Sequence, residues 1–355
     1  MKKKVLHFGG GALGRGLVVP YLKEAGYDVA IADIDAALVD ALNQEKGYEL
    51  CVTDDPSKSH KVSIEKAILF EGSNEELREW ICEAEVITTS VRKENLHFVA
   101  DYINRTLESG AKKIILCAEN VEGSGEFFKE LLEKNTTKNW DNLQIPNTVV
   151  DRICASKWPD SLTVLTETFG EFGYDKTVCK TSMEPIRAEE NLEKAFIRKR
   201  LLVNTFCDAS CFLGKAKGKK YLSDAMKDEE IQKELSIYFH AFDQVLSKKY
   251  GLTQEEISDW KKLYKKRLSN EGILRDISTV ARNLWGKLEL QERFMFPLVV
   301  LFEMGEDITE ALNGLLHMIF ACEKENKEVW SKLEEIWCVT ETGTKIYHMA
   351  VEGAK

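Results

Sequence analysis

Residues 5–16 read Val-Leu-His-Phe-Gly-Gly-Gly-Ala-Leu-Gly-Arg-Gly. A short apolar run passes straight into a glycine cluster, and residues 15–25 then carry apolar side chains at helical spacing. Gly9, Gly11 and Gly14 thus fit G-x-G-x-x-G between a strand and a helix. Gly9 allows the tight turn, Gly11 lets backbone amides approach a pyrophosphate, and Gly14 lets the helix lie close to the strand. The phosphates of such a ligand sit on the positive end of the helix dipole. An acid stands where the pattern needs one, Asp33, at the end of the run 29–33, Val-Ala-Ile-Ala-Asp. A carboxylate there accepts hydrogen bonds from ribose hydroxyls and repels a 2′-phosphate, so the pattern predicts NAD rather than NADP. An FAD site shares the fingerprint, and spacing alone does not separate the two.

The fingerprint predicts the fold around it. Short apolar runs at 5–8, 29–33, 86–89 and 114–117 alternate with helical patterns such as 15–25 and 36–43. That alternation predicts βαβ units and a mainly parallel sheet, an α/β Rossmann domain. One more strand is expected near 163–168, followed by turn-rich sequence to about residue 190. Beyond Glu189 the period changes. Apolar residues recur every three or four positions over 192–213, 228–249, 253–268, 294–303 and 308–322, with few prolines. The chain of 355 residues is too long for one core. The expected organisation is an NAD-binding Rossmann domain over 1–190 and an all-α substrate and catalytic domain over 191–355.

Composition excludes several partners. The net charge is −10 and no long basic block occurs, which argues against nucleic acid. No run approaches the roughly 20 apolar residues of a membrane span. The basic start, Met1-Lys2-Lys3-Lys4, precedes too short an apolar stretch for a secretion signal. Nine cysteines without paired spacing predict reduced thiols and a cytoplasmic location. Cys207 and Cys211 lack a nearby histidine pair, so no zinc site and no other metal is expected. The six histidines show no ligand or catalytic spacing, and His7 belongs to the first strand.

On the helix predicted through 196–214, Lys199, Asn204 and Cys207 fan over about 140° of one side. Taken alone, these are a surface lysine and a satisfied core amide. Further motifs alter that reading. His7 to Gly16, Ile87-Thr-Thr-Ser-Val91, Glu119-Asn120, Val150-Asp-Arg-Ile153 and Glu167-Thr-Phe-Gly-Glu171 occur in order, followed by the Lys199 segment, Arg267-Leu-Ser-Asn270 and 293–298. In these motifs the chain resembles the polyol-specific long-chain dehydrogenases, the mannitol dehydrogenase family.

The resemblance implies metal-independent hydride transfer between NAD and a sugar or polyol substrate, in a monomer or small homo-oligomer. Lys199 and Asn204 match the signature Lys-x4-Asn-x2-His. Lys199 would take the substrate's hydroxyl proton as general base, and Asn204 and Asn120 would stabilise the alkoxide. Asp151, Cys207 and Arg282, the last with Lys287, are implied on the substrate side. Phe8, Gly9, Gly11, Ala12, Leu13, Gly14, Asp33, Thr89, Val91 and Asn120 are implied at the cofactor. The default family reaction interconverts a polyol phosphate and a ketose phosphate, mannitol 1-phosphate and fructose 6-phosphate.

The chain also departs from the pattern. Cys207 stands where the signature has histidine, Phe296 and 319–321 lack the family's usual basic residues or histidine, and Ala12 replaces an asparagine. A cysteine is shorter than a histidine and a weaker donor. These changes fall mainly on the substrate side. Two further readings therefore stand beside the first: a reductase of a hexuronate or another modified sugar, and an NAD-binding protein that has lost catalysis.

Overall fold

The run at 5–8 forms the strand Lys4–Phe8 at the centre of a five-stranded parallel sheet. In spatial order the strands are Lys66–Leu69, Asp28–Asp33, Lys4–Phe8, Val86–Thr89 and Ile114–Cys117. The computed structural model describes residues 3–72, 74–134, 136–324 and 326–354. Every residue of Val86–Thr89 is buried, as expected of a parallel strand covered on both faces. The order reverses between Lys4–Phe8 and Val86–Thr89, and the carboxyl ends of strands at such a switch point are where α/β sheets bind ligands. The glycine loop leaves the sheet at that edge.

The chain divides into two compact units, Met1–Phe196 and Ile197–Lys355. The first holds two smaller sheets besides the parallel one. Gly47–Val52 pairs with His60–Ser63 on one side and Val164–Thr166 on the other, with Cys154–Ser156 at the far edge. Glu171–Asp175 lies between Thr148–Asp151 and Arg187–Glu189. The stretch expected to be turn-rich up to residue 190 therefore contains two strands. Their pairing explains the difference: Phe172 and Tyr174 are buried in register with Val150 and Thr148, a partnership about 20 residues away that local composition does not reveal.

Among the described residues, the regular structure of the second unit is helical apart from one isolated bridge between Tyr221 and Asp276. Its longest helix, Glu229–Lys248, starts where the Asp228 carboxylate accepts the Ile231 amide. That helix buries Tyr238, Phe239 and Phe242, with ring centroids 4.4–5.3 Å apart. Thr253 and Glu256 cap the next helix, Gln254–Leu268, reciprocally. Among the described residues, no helix is long and apolar enough to cross a membrane.

Candidate active site

The glycine loop is built as its sequence requires. Gly9 has φ +104°, and its amide donates to the Ala32 carbonyl oxygen at 2.8 Å. The Gly10 amide donates to Asp33 Oδ2 at 2.6 Å, and the Asp35 amide to Oδ1 at 2.9 Å. Two backbone donors thus fix the Asp33 carboxylate at the strand end. Beyond the loop the chain enters Gly14–Val18, a π-helical turn in which the Val19 amide reaches back five residues to the Gly14 carbonyl.

Beneath the loop lie two buried polar groups. His7 is fully buried between Thr88 Oγ1 (2.8 Å) and Ser90 Oγ (3.1 Å), and burial pulls its pKa down to about 4. The Ser90 hydroxyl in turn donates to the Gly9 carbonyl oxygen. Arg15 is also fully buried. Its Nε donates to the Gly10 carbonyl, its Nη1 to the Leu162 carbonyl and its Nη2 to Ser156 Oγ, at 2.6–2.7 Å. The loop is therefore tied to the sheet below it and to the segment 156–162 beside it.

A cleft of about 660 Å³ opens along this edge. Gly11 and Asp33 line it, with Ile34, Phe70 and Phe98 as apolar walls and Arg92 and Arg105 among its cations. Ile34 and Phe98 are 78% and 55% exposed. Thr89 and Val91 play a supporting part here. The buried Thr89 hydroxyl and the Val91 amide both donate to the Glu119 carboxylate, at 2.8 and 3.0 Å. Phe8 is fully buried in the strand, whereas Ala12 and Leu13 are half-buried and Asn120 is exposed after the strand Ile114–Cys117. Asp151 is buried at the end of Thr148–Asp151.

Glu119 is 4% exposed, and burial outweighs its two donors, lifting its pKa from 4.5 to about 7. The unfolded carboxyl ionises near 4.5, while the folded one keeps its proton to about 7. Between those values the folded state binds more protons, so stability falls as pH rises, by on the order of 3 kcal/mol in all. Glu119→Gln does not titrate. Its stability relative to wild type should therefore rise between pH 5 and pH 8 in urea denaturation; an unchanged difference would contradict this.

In the second unit, the segment with the Lys-x4-Asn spacing is not a uniform α-helix. Leu192–Lys199 gives way to a π-helical turn, Arg200–Thr205, and then to Phe206–Ala216. This corrects the 140° fan. A π turn advances about 80° per residue instead of 100°, so Lys199 and Asn204 lie roughly 50° apart, on one face. The Thr205 hydroxyl donates to the Arg200 carbonyl at 2.7 Å, satisfying a group that the wide turn disturbs. Lys199 is 6% exposed and Asn204 half-buried.

Cys207 is 3% exposed, and the neighbouring Cys211 thiol lowers its pKa, whereas Cys207 and burial raise that of Cys211. Next to it, the buried Asp208 pairs with Arg293 at 2.7 Å and Lys287 at 3.1 Å. Arg282 is exposed on the loop between the helices Ile277–Val280 and Leu284–Lys287. Lys287, expected beside it at an anion, is instead committed to Asp208. Among the described residues no group of three or more His, Cys, Asp or Glu side chains is placed to hold a metal ion.

Comparison with known proteins agrees with both halves. Residues 3–187 match the mannitol dehydrogenase Rossmann domain, and residues 191–331 match the mannitol dehydrogenase C-terminal domain. The chain belongs to the mannitol dehydrogenase family. Within the family it is 29% identical over 319 residues to a mannitol-1-phosphate 5-dehydrogenase of Aspergillus niger, covering 86% of this chain and 82% of that one. It is 30% identical to the enzyme of the same name from Pyricularia oryzae (strain Y34), covering 88% and 82%. The Pseudomonas fluorescens mannitol 2-dehydrogenase, solved in a ternary complex with NAD and D-mannitol, shares the fold. It superposes with a TM-score of 0.73 at 14% identity, over 99% of this chain and 91% of that one.

Sequence reasoning missed Arg15, Ser90 and Glu119 as the polar groups that brace the glycine loop and the neighbouring strand ends. Arg15 and Glu119 are charged residues that a sequence places at the surface by default. Their only local signal is position, Arg15 between two glycines and Glu119 directly after an apolar strand.

Proposed function

We propose that this chain is an NAD-dependent dehydrogenase that interconverts a polyol phosphate and a ketose phosphate, of the mannitol 1-phosphate and fructose 6-phosphate type, without a metal. The observation that carries the reading is the wide turn that puts the amine of Lys199 and the amide of Asn204 on one helix face. A base and a hydrogen-bond donor held together suit a secondary alcohol losing its proton. NAD, when bound, supplies the hydride acceptor. Lys199, in its uncharged form, takes the hydroxyl proton at Nζ. Asn204 donates its side-chain N–H to the same oxygen as negative charge develops there. Asn120 and Asp151 keep the roles that the family resemblance gives them, the first at the reacting end of the cofactor and the second at a substrate hydroxyl. The names and high coverage of the Aspergillus and Pyricularia relatives support a phosphorylated substrate.

The cofactor reading rests on the residues that fit it. A Cβ at Gly11 meets nothing within 4 Å, leaving room for a pyrophosphate, and the pinned Asp33 carboxylate lines the same cleft. Arg92 and Arg105 line it too, so Asp33 is the group that holds NADP off. Asp33→Ser should shift the ratio of NADPH to NADH affinity towards NADPH by about tenfold or more, since the cations then meet the 2′-phosphate unopposed. Fluorescence titration with both cofactors measures this, and an unchanged ratio removes Asp33 as the selector.

The overall reading is tested by following NADH formation across polyols, polyol phosphates, hexuronates and their reduced forms. Turnover confined to a polyol phosphate is the expected result. Cys207, where the signature has histidine, favours one second reading: turnover confined to a hexuronate or another modified sugar. NAD binding without turnover of any compound makes the chain a binding protein and overturns the proposal.

A further inference from the structure

The first unit carries a second cleft, of about 530 Å³, that shares no lining residue with the one beside the glycine loop. It lies between the helix Val19–Glu24 and the strands Gly47–Val52 and His60–Ser63. Its charge is opposite to that of the molecule. The chain as a whole carries −10, yet this cleft is lined by Lys23, Lys58, Lys61 and Arg152, with Glu24 as its one carboxylate.

Arg152 is the anchor. Its Nε and Nη2 donate to the Glu167 carbonyl at 3.0 and 2.8 Å, and its Nη1 to the Gly16 carbonyl at 3.0 Å. Three backbone bonds fix the guanidinium, but none of the partners carries charge, and among the described residues no carboxylate pairs with Arg152. The Tyr21 hydroxyl in the same lining has no hydrogen-bond partner among the described residues. The lysines are loosely held: Lys23–Glu65 is 3.6 Å, Lys58–Asp55 3.4 Å and Lys61–Glu45 3.8 Å. Ion pairs of that kind at a surface are worth little and rearrange readily. Leu50, Val52 and Val62 add apolar wall, and the volume is in the range of small-ligand sites.

A fixed guanidinium without a counter-charge, a free hydroxyl donor and three adaptable ammonium groups over apolar walls match a phosphoryl group on a small carbon frame. We propose that this cleft binds a small organic phosphate, at a site distinct from the dinucleotide cleft. Occupancy ties the strand His60–Ser63 to the helix that follows the glycine loop, and so reaches that loop from behind.

Calorimetric titration of the full chain with glycerol 1-phosphate, with and without saturating NAD, tests this. Saturable binding should persist in NAD and weaken about tenfold or more in Lys58→Glu/Lys61→Glu, two exposed positions at which folding is not at stake. The control Lys129→Glu/Lys262→Glu, of equal charge but elsewhere on the surface, should bind as wild type does. Glycerol alone should not bind. Absence of saturable binding overturns the proposal, as does an affinity equal in both double variants, or competition by NAD that places the phosphate on the glycine loop.

Discussion

Lys199→Ala should lower turnover of the polyol phosphate by about a thousandfold, within the range of general-base removal, while NAD affinity stays within about twofold. The asymmetry follows from the layout. The groups proposed to hold the dinucleotide, the glycine loop and Asp33, belong to the first unit, whereas Lys199 belongs to the second. Loss of the amine should therefore appear in kcat, with no change in a fluorescence titration of the cofactor. Removing a buried long side chain also costs packing, so urea denaturation of the variant belongs beside the kinetics. If the folded variant turns over comparably to wild type, Lys199 is not the base. Lys199→Arg separates charge from basicity: it keeps a cation but cannot accept a proton at neutral pH, and should be as inactive as the alanine variant.

Gly14→Ala should be among the most damaging single methyls in the first unit. A Cβ there falls 2.2 Å from the Gly9 carbonyl oxygen, 2.3 Å from His7 Nε2 and 2.7 Å from Ser90 Oγ. None of these yields cheaply. The first is backbone in the tight turn, and the other two are joined to each other and to Thr88 under the loop. A loss of roughly 3 kcal/mol of stability is expected from overpacking, along with at least a tenfold loss of NAD affinity as the loop is pushed open. Gly11→Ala provides the contrast, because its methyl meets nothing within 4 Å in the free protein. Stability should hold while NAD affinity falls, since the methyl occupies the space that the pyrophosphate needs. If Gly14→Ala matches wild type in chemical denaturation, the loop is softer than these distances require.

The contrast shows which parts of the molecule can be read from sequence. The four strands at 5–8, 29–33, 86–89 and 114–117 are apolar on both faces, and both faces are covered, so local composition located them within a residue. Lys66–Leu69 was not legible. It is a four-residue edge strand whose pattern resembles many loops, and only its pairing with Asp28–Asp33 makes it a strand. The five helical patterns of the second half correspond to helices, because a stripe of apolar residues persists over many turns. The wide turn at Arg200–Thr205 was invisible for the opposite reason: Leu201, Leu202 and Val203 are all buried and continue the apolar pattern of an ordinary helix across the change of pitch. The glycine turn and the place of Asp33 at the strand end were legible because spacing along the chain sets both. Glu119 and Arg15 were not, since their partners come from distant segments, Thr89 and Val91 for one, Ser156 and Leu162 for the other.

The wide turn has one more consequence, for how the gene tolerates change. Counted in residues, it is a single-residue insertion absorbed without turning Lys199 away from Asn204. Excising one residue from 200–203 and letting the segment relax to ordinary pitch leaves the two side chains four apart, about 40° around the axis and still neighbours. Adding one sets them roughly 120° apart at either pitch. The interval between Lys199 and Asn204 thus has two lengths that keep the pair together, and this chain uses the longer.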